Sequence, residues 1–225
     1  VFTMAASIKF YYDVVSPWAW LGYEILNRYA QKYPNKFKIV LKPCFLGGVM
    51  QASGNKPPAT VPAKGMYMGK DLRRSYDWAG LQGGSIPSKF PILTILAMRV
   101  LVAMTLDRAH ASKVGPASQE LWKLYWREDV DTSTPEAVAT ALTRVGMSTS
   151  EAKYFLGQAK APEIKAKLKE LTQEAVSTGA FGAPWMIVER QGKRDEVFFG
   201  SDRFHLLFPL IDVPWVGPQP NKSKL

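Results

Sequence analysis

The order of the predicted strands and helices constrains the fold of this chain more than any other feature of its sequence. Residues 8–14 (IKFYYDV) predict a β-strand, because aromatic and β-branched residues dominate them. Ser16 and Pro17 are a good N-cap and a good first-turn residue, and they begin a predicted helix that ends near Pro34. Residues 37–44 (FKIVLKPC) predict a second strand. A β-α-β order implies two parallel strands joined by a right-handed crossover.

A long helical region follows, and β-structure returns only near the end of the sequence. Residues 185–189 and 196–199 predict two short strands of an antiparallel hairpin, and a last helix is expected at about 202–210. The helical signals between the two β regions are caps, first-turn prolines and apolar residues at helical spacing. The helices predicted from them lie at 64–79, 92–107, 116–128, 135–145, 149–160 and 162–178.

Without the helical region, the order of elements is that of thioredoxin. We therefore predict an α/β fold in which an all-helical domain (63–179) is inserted into a thioredoxin-like domain (1–62 and 180–225). Such a domain carries its reactive group at the first βα turn, and a cis-proline before the third strand faces that group. Pro184 stands at the corresponding position. The Gly- and Pro-rich residues 47–62 are too irregular for a regular element, and we expect them to form a functional loop.

The composition excludes several classes of protein. The chain has 225 residues, of which 47% are hydrophobic and 21% charged, as is typical of a folded globular protein. Lys and Arg outnumber Asp and Glu by 29 to 19, which gives a net charge of +10. The lysines of residues 162–178 alternate with glutamates, however, and predict a solvated helix face. We expect no nucleic-acid partner, and the basic balance favours an anionic small molecule.

A single cysteine and two histidines limit the metal and disulfide chemistry that the chain can carry. Cys44 has no partner for an internal disulfide, and its place at the end of an apolar strand predicts a small buried hydrophobic residue. His110 and His205 show no spacing to a carboxylate or cysteine that suggests a site, so we expect structural or surface roles for both. The sequence therefore predicts no metal site and no resident cofactor.

Two segments bear on where the protein is located. The most apolar run, residues 90–106, is shorter than a typical membrane span and contains Arg99, so it predicts a buried helix and no membrane span. The sequence ends in Ser223, Lys224 and Leu225, the tripeptide that is read as a peroxisomal address. We therefore expect peroxisomal localisation through an import receptor, while a mitochondrial pool stays open.

The first βα turn lacks the two cysteines of a thiol oxidoreductase. Its four residues are Ser16, Pro17, Trp18 and Ala19, so a dithiol cannot cycle there. A serine hydroxyl without a nearby base is a poor nucleophile, but at a helix N-terminus it is a good hydrogen-bond donor to an external thiolate. The alternative is that Ser16 does nothing more than cap its helix. The predicted strand before it and the Ala-Pro pair far downstream favour the thiolate.

A serine hydroxyl and a helix N-terminus supply enough free energy to stabilise an external thiolate. A free thiol titrates near 8.5, so only a few per cent of it is thiolate at neutral pH. Lowering its pKa by ~2 units requires roughly 2.7 kcal/mol of preference for the thiolate. A hydroxyl bonded to a charge supplies ~1.5–3 kcal/mol, and a helix terminus adds ~0.3–1 kcal/mol. The two effects together suffice, and no general base is required.

Six sequence blocks together resemble the kappa-class glutathione S-transferases. Their order and spacing carry the resemblance, and they span nearly the whole chain. The wider relatives of that family are the bacterial disulfide oxidoreductase DsbA and 2-hydroxychromene-2-carboxylate isomerase, so the resemblance implies that the inserted helical domain is DsbA-like. The blocks are FYYDVVSPWAWLGYEIL (10–26), SGNKPP (53–58), PAKGMYM (62–68), GAFGAP (179–184), GSDR (200–203) and WVGPQP (215–220).

The resemblance implies how the thiol end of glutathione is bound. Ser16 matches the family serine that hydrogen-bonds the glutathione sulfur and stabilises its thiolate, and Pro17 and Trp18 line the same site. Ala183, next to Pro184, is expected to pair its backbone with the cysteinyl unit, as a peptide pairs with a strand edge.

The resemblance also implies contacts at the two charged ends of glutathione. Asn55 and Lys64 match family positions near the glycyl end, where a cation suits a carboxylate. Ser201 and Asp202 match the position that holds the γ-glutamyl end, and the Asp202 carboxylate suits its ammonium group. The alternatives are that Asn55 and Lys64 are surface loop residues and that Ser201 and Asp202 are helix N-cap residues.

The resemblance implies a transferase that conjugates the glutathione thiolate to small hydrophobic electrophiles, with reduction of organic hydroperoxides as a side activity. Glutathione is then a co-substrate, and a homodimer is expected. Two alternatives are a glutathione-dependent isomerase that uses the same site and a non-catalytic binding or chaperone-like protein. Substrate preference stays open, because Trp18, Ala19 and Ala183 stand where relatives often have tyrosine, serine and leucine.

Overall fold

A computed structural model describes residues 6–83 and 85–222 of the protein. The peroxisomal tripeptide 223–225 lies outside these residues, so its role stays a prediction. The strands are β1 (Ala6–Tyr12), β2 (Phe37–Pro43), β3 (Trp185–Arg190) and β4 (Glu196–Phe199). The helices are α1 (Pro17–Lys32), α2 (Leu46–Ser53), α3 (Pro62–Ala79), α4 (Ile95–Leu106), α5 (Val114–Trp126), α6 (Pro135–Arg144), α7 (Thr149–Gln158), α8 (Pro162–Ser177) and α9 (Phe204–Leu207), with short 3-10 helices at Pro58–Thr60, Ala111–Lys113 and Phe208–Ile211.

The sheet has the topology that the sequence predicts. Within the described residues it contains four strands in the order β2-β1-β3-β4. β1 pairs with β2 in parallel, and Ala6 lies opposite Phe37. β1 pairs with β3 and β3 with β4 in antiparallel fashion, and Trp185 lies opposite Phe199. This is the order of a thioredoxin-like domain, so the predicted fold class is confirmed.

Side chains that alternate along the strands divide the core into two layers, because successive residues of a strand point to opposite faces. Phe10 and Met186 face the large core that includes α1, α4 and α5. Tyr11 and Trp185 face the other side, where they pack with Ala175 of α8. Helix α8 thus packs on the sheet, although the sequence assigns it to the helical insert; the boundary at residue 179 stays a prediction.

Helix α1 is packed along its core-facing side and anchored near its C-terminal end. It buries Leu21 and Ile25 on its core-facing side, as its apolar spacing predicts. Near its C-terminal end the Tyr29 ring stacks on Phe208, with ring centroids 4.1 Å apart. The Tyr29 hydroxyl accepts a hydrogen bond from the Val216 N–H and donates one to the Gly217 carbonyl, both at 2.9 Å.

The prediction of an irregular loop at residues 47–62 was wrong. Helix α2 covers its first part, a 3-10 turn follows at Pro58–Thr60, and α3 begins at Pro62. The reason is tertiary packing, which overrides the low helix propensity of glycine. A Cβ atom on Gly48 would come within 3.2 Å of Thr172 Cγ2, so the glycine permits α2 to lie close to α8.

Two smaller expectations also need correction. The last predicted helix, 202–210, is a short α9 that continues as a 3-10 helix from Phe208, because Pro209 has no N–H to donate to an α-helical turn. His110 does have nearby carboxylates, since its ring nitrogens lie 3.0 Å from Asp107 and 3.0 Å from Glu151. Glu151 is remote in sequence, and the cluster ties the segment before α5 to α7.

The apolar run at residues 90–106 contains α4, which lies in the core as predicted. In the described part of the chain, no helix combines the length and the apolar character that crossing a membrane requires.

Candidate active site

Ser16 lies between β1 and α1, where it caps the helix. Its backbone is extended (φ −88°, ψ 115°), and its hydroxyl oxygen accepts a hydrogen bond from the Ala19 N–H at 3.1 Å. The hydroxyl in turn donates to the Ala183 carbonyl at 3.0 Å. Because a hydroxyl has one proton and two lone pairs, capping α1 leaves the proton available to another acceptor. The capping and donor roles of Ser16 are therefore compatible.

The cis-proline expected opposite Ser16 is present. The Ala183–Pro184 peptide bond is cis, and the Pro184 carbonyl accepts a hydrogen bond from the Gly200 N–H at 3.0 Å. A Cβ atom on Gly22 would lie 3.3 Å from Pro184 Cγ, so α1 packs closely on this proline. Pro184 itself lines none of the described cavities around Ser16; its neighbour Ala183 does.

A cavity of about 440 Å³ opens beside Ser16. Ser16 lines this cavity although only 4% of its surface is exposed. The walls are mainly apolar and come from four segments: the start of α1, residues 45–58 with the start of α3, residues 90–94, and residues 182–183 with Phe199. Six of the sequence-predicted site residues line it, namely Ser16, Pro17, Trp18, Asn55, Lys64 and Ala183.

A second cavity of about 340 Å³ adjoins the first, and both are lined by Trp18, Ala183 and Phe199. The second cavity contains Ser201 and Asp202, which completes the predicted set apart from Pro184. We call the two cavities together the Ser16 groove. The first cavity is lined by the cationic Lys64 and the second by the anionic Asp202. The groove therefore suits an elongated ligand that carries an anionic group at one end and a cationic group at the other.

Two of the side chains predicted to bind glutathione, those of Asn55 and Asp202, already form polar contacts within the protein. The Asn55 Nδ2 atom donates to the Phe181 carbonyl at 2.6 Å, and Asn55 Oδ1 accepts from the Lys56 N–H at 2.8 Å. Asn55 therefore joins the end of α2 to the segment that precedes the cis-proline. The Asp202 carboxylate pairs with the guanidinium of Arg203, a residue that sequence reasoning missed.

Comparison with known proteins identifies the family of the chain. The family model of the DSBA-like thioredoxin domain matches residues 7–211. Human glutathione S-transferase kappa 1 is 36% identical over 223 residues, which cover 95% of this chain and 94% of the human protein. The chain belongs to the kappa-class glutathione S-transferase family. Its identity to 2-hydroxychromene-2-carboxylate isomerase of Pseudomonas putida is 27%, over 89% of this chain and 91% of that enzyme.

Solved structures place this kappa-class chain in the same fold. The structure of a 2-hydroxychromene-2-carboxylate isomerase matches it with a TM-score of 0.75 at 22% identity, covering 92% of this chain and 94% of the isomerase. At 22% identity the match shows that the two proteins share a fold. In the kappa-class chain, the first βα turn of this fold carries Ser16.

The kappa-class site contains a buried carboxylate that sequence reasoning missed. Asp13 is fully buried and lines the cavity beside Ser16. Its carboxylate accepts hydrogen bonds from the Val15 N–H (3.0 Å), the Leu46 N–H (2.9 Å) and the Thr94 hydroxyl (2.7 Å). Burial raises the pKa of Asp13, and these hydrogen bonds oppose the rise. The signal in the sequence was an acidic residue at the end of an apolar strand.

Cys44 is not part of the chemistry. It is 1% exposed, and burial raises the pKa of its thiol far above the usual value, so it is a neutral core side chain, as predicted. In the described ranges, no three His, Cys, Asp or Glu side chains form a group that could hold a metal ion.

Proposed function

We propose that this protein is a glutathione transferase that binds glutathione in the Ser16 groove and delivers its thiolate to a small hydrophobic electrophile. The observation that carries the proposal is Ser16, which caps the N-terminus of α1, lines the first cavity of the groove and donates to Ala183, a residue that lines both cavities. The kinship with glutathione S-transferase kappa 1 over nearly the whole chain supports the same function.

The thiolate is stabilised by the first turn of α1. Ser16 turns its proton from the Ala183 carbonyl to the sulfur, exchanging a neutral acceptor for a charged one. A hydrogen bond to a charged group is worth ~1.5–3 kcal/mol, against about 1 kcal/mol for a neutral one. Trp18 is the second residue of α1, where helix geometry leaves the N–H without an intrahelical acceptor, so it adds a further donor at the positive end of the helix.

The charged ends of the groove orient the tripeptide. Lys64 attracts the glycyl carboxylate, and Asp202 attracts the γ-glutamyl ammonium group. Between them the backbone of Ala183 pairs with the cysteinyl unit. The opposite charges define one direction of binding, and that direction brings the sulfur to Ser16.

The electrophile occupies the apolar part of the groove. Met50, Phe90, Ile92 and Leu93 line the cavity beside Ser16, and they favour a hydrophobic substrate over a polar one. With an activated aryl halide, a carbon–sulfur bond forms, the carbon–halogen bond breaks, and the halide leaves with the bonding electrons.

Peroxidase activity is a second use of the same thiolate. The sulfur attacks one oxygen of an organic hydroperoxide, the O–O bond breaks, and the other oxygen leaves as alkoxide and takes up a proton. Glutathione is thereby oxidised to its sulfenic acid, and a second glutathione thiol reduces this acid to the disulfide and water.

The test is conjugation of an activated aryl halide by the native protein and by Ser16→Ala, with thiolate absorbance recorded by ultraviolet difference spectroscopy. We expect a thiolate band at neutral pH in the native complex and its loss in the variant. Loss of a charge-assisted hydrogen bond lowers the rate about tenfold to hundredfold. Unchanged conjugation by Ser16→Ala would exclude the proposed role of Ser16.

A glutathione-dependent isomerase is the second candidate, and the identity to 2-hydroxychromene-2-carboxylate isomerase favours it. In that reaction the thiolate adds to the substrate and later leaves, so glutathione is recovered unchanged. Product analysis with 2-hydroxychromene-2-carboxylate separates the two: rearranged product with free glutathione supports the isomerase, and a stable conjugate with an aryl halide supports the transferase.

We also propose that the protein is a homodimer. The resemblance to the kappa class implies this assembly, and exposed apolar side chains such as Met66 (72%) and Tyr67 (57%) on α3 would be covered by a partner there. Light scattering at micromolar concentration tests the proposal, and a monomer mass would exclude it.

A further inference from the structure

A separate cavity of about 280 Å³ lies across α2 from the Ser16 groove. The two faces of α2 divide the two spaces: Gly47 and Met50 line the groove, whereas Gly48 and Ala52 line the separate cavity. Its other walls come from α4 and α8, and we call it the α4–α8 pocket. The α8 residues that line it lie on one helix face, and they are Lys165, Leu168, Lys169, Thr172, Gln173 and Val176.

The α4–α8 pocket is lined by three cations, Arg99, Lys165 and Lys169, and no Asp or Glu is among its described lining residues. None of the three forms an ion pair with a carboxylate in the part of the chain that the structure describes. Lys165 and Lys169 are one helical turn apart, so both ammonium groups reach the same rim. The pocket therefore concentrates positive charge that the described residues do not neutralise.

Arg99 gives the strongest indication of a ligand. It is partly buried in α4, and its Nε atom is shielded from solvent without a hydrogen-bond acceptor among the described residues. The terminal nitrogens of the guanidinium are not shielded and donate to no described residue, so they are available to an anion in the pocket, while the unpaired Nε shows that the fold supplies this cation with no acceptor of its own. The planar guanidinium is well suited to a carboxylate, which accepts two parallel hydrogen bonds.

The rest of the lining is apolar. Phe45, Ile95, Leu168 and Val176 supply aromatic and branched aliphatic surface next to the cations. An inorganic anion would leave this surface in contact with water, whereas a short hydrocarbon chain would cover it.

We propose that the α4–α8 pocket binds a small organic anion that joins one carboxylate to a short aliphatic chain. Arg99 binds the carboxylate, the two lysines attract it from the rim, and the chain packs against Phe45 and Leu168. The site is independent of the glutathione chemistry, but Phe45 lines both the pocket and the Ser16 groove.

The experiment is calorimetric titration of octanoate into the full chain, with S-hexylglutathione in excess to occupy the Ser16 groove. Octanol supplies the chain without the charge, and inorganic phosphate supplies the charge without the chain. We expect octanoate to bind at one site per chain, and both octanol and phosphate to bind at least tenfold more weakly.

Three variants locate the site. Arg99→Gln and Lys169→Glu are each expected to weaken octanoate binding at least tenfold. Arg74→Gln makes the same change of charge at an exposed position of α3 that lines neither the pocket nor the groove, and it should bind octanoate as the native chain does. Thermal unfolding identifies any variant that fails to fold. Lys169→Glu is expected to disturb stability less than Arg99→Gln, because Lys169 is exposed.

Four results would overturn the proposal. Octanoate that does not bind the native chain, or that binds Arg99→Gln and Lys169→Glu as tightly as it binds the native chain, would exclude this pocket as its site. Octanol binding as tightly as octanoate would exclude a role for the charge, and phosphate binding as tightly would exclude a role for the chain. Failure of S-hexylglutathione to bind would count against the transferase and not against the α4–α8 pocket. The octanoate titration is therefore repeated without S-hexylglutathione, so that the comparison of Arg99→Gln with the native chain stands in either case.

Discussion

The hydroxyl of Ser16 donates a hydrogen bond to the carbonyl oxygen of Ala183 across 3.0 Å, and the two residues are 167 positions apart in the sequence. This bond joins the N-terminus of α1 to the residue that precedes the cis-proline. Since the same hydroxyl oxygen accepts from the Ala19 N–H, Ser16 connects the helix cap to Ala183, which lines both cavities of the groove. A substitution at Ser16 therefore affects both stability and chemistry, and the two effects need to be separated.

Two variants of Ser16 separate them. Replacing an N-cap serine with alanine costs ~1 kcal/mol of stability, whereas glycine costs only a few tenths of a kcal/mol. We expect Ser16→Ala to unfold at a lower temperature than Ser16→Gly, and both to lose the thiolate band of bound glutathione. Thermal unfolding and difference spectroscopy measure the two effects. If Ser16→Gly kept the band, the N-terminus of α1 would stabilise the thiolate without the hydroxyl.

The ends of the groove are tested with truncated thiols. We expect Lys64→Gln to weaken glutathione binding by up to about fivefold, because exposed charge pairs contribute ~0.2–1 kcal/mol. Asp202→Asn should have an effect of the same size. Cysteinylglycine lacks the γ-glutamyl group, so its binding should respond to Lys64→Gln alone; γ-glutamylcysteine should respond to Asp202→Asn alone. The opposite pattern would reverse the direction of glutathione in the groove.

Local sequence signals predicted the parts of the site that depend on neighbouring residues. Ser16 was identifiable from a strand, a cap and a first-turn proline that follow one another, and Pro184 from its place before a strand. Helix α2 was missed because its stability depends on packing against α8, where Gly48 approaches Thr172. No local pattern contains that contact.

Asp13 was missed for a related reason. Its hydrogen-bond partners Leu46 and Thr94 lie 33 and 81 residues away, so their convergence is a property of the fold and not of any motif. The resemblance to a family supplied Asn55, Lys64 and Asp202, but it did not show that Asn55 joins the protein's own Phe181 carbonyl or that Asp202 pairs with Arg203.

The third prediction concerns Asp13, which holds residues that line the groove in position. Its carboxylate accepts three hydrogen bonds, and an asparagine amide would direct a donor at one of those partners. We expect Asp13→Asn to destabilise the protein by about 1–3 kcal/mol, measured by chemical denaturation. Because Leu46 and Thr94 carry walls of the cavity, KM for the electrophile should rise more than kcat falls. Loss of stability with unchanged KM would show a role confined to folding.

The last prediction concerns pH. Hydrogen bonds to Asp107 and then Glu151 raise the pKa of His110 above its usual 6.5, so the folded protein holds this proton more tightly than the unfolded chain does. The stabilisation is therefore complete below pH 6.5 and is lost as the pH rises through the raised pKa. We expect the melting temperature of His110→Gln to lie furthest below that of the native protein at about pH 5.5, and the gap to narrow towards about pH 8.5. His205→Gln is the matched control, because it makes the same substitution at an exposed histidine outside the cluster of His110, Asp107 and Glu151. A gap for His110→Gln that stays constant across this range would mean that the histidine stabilises the fold without its charge.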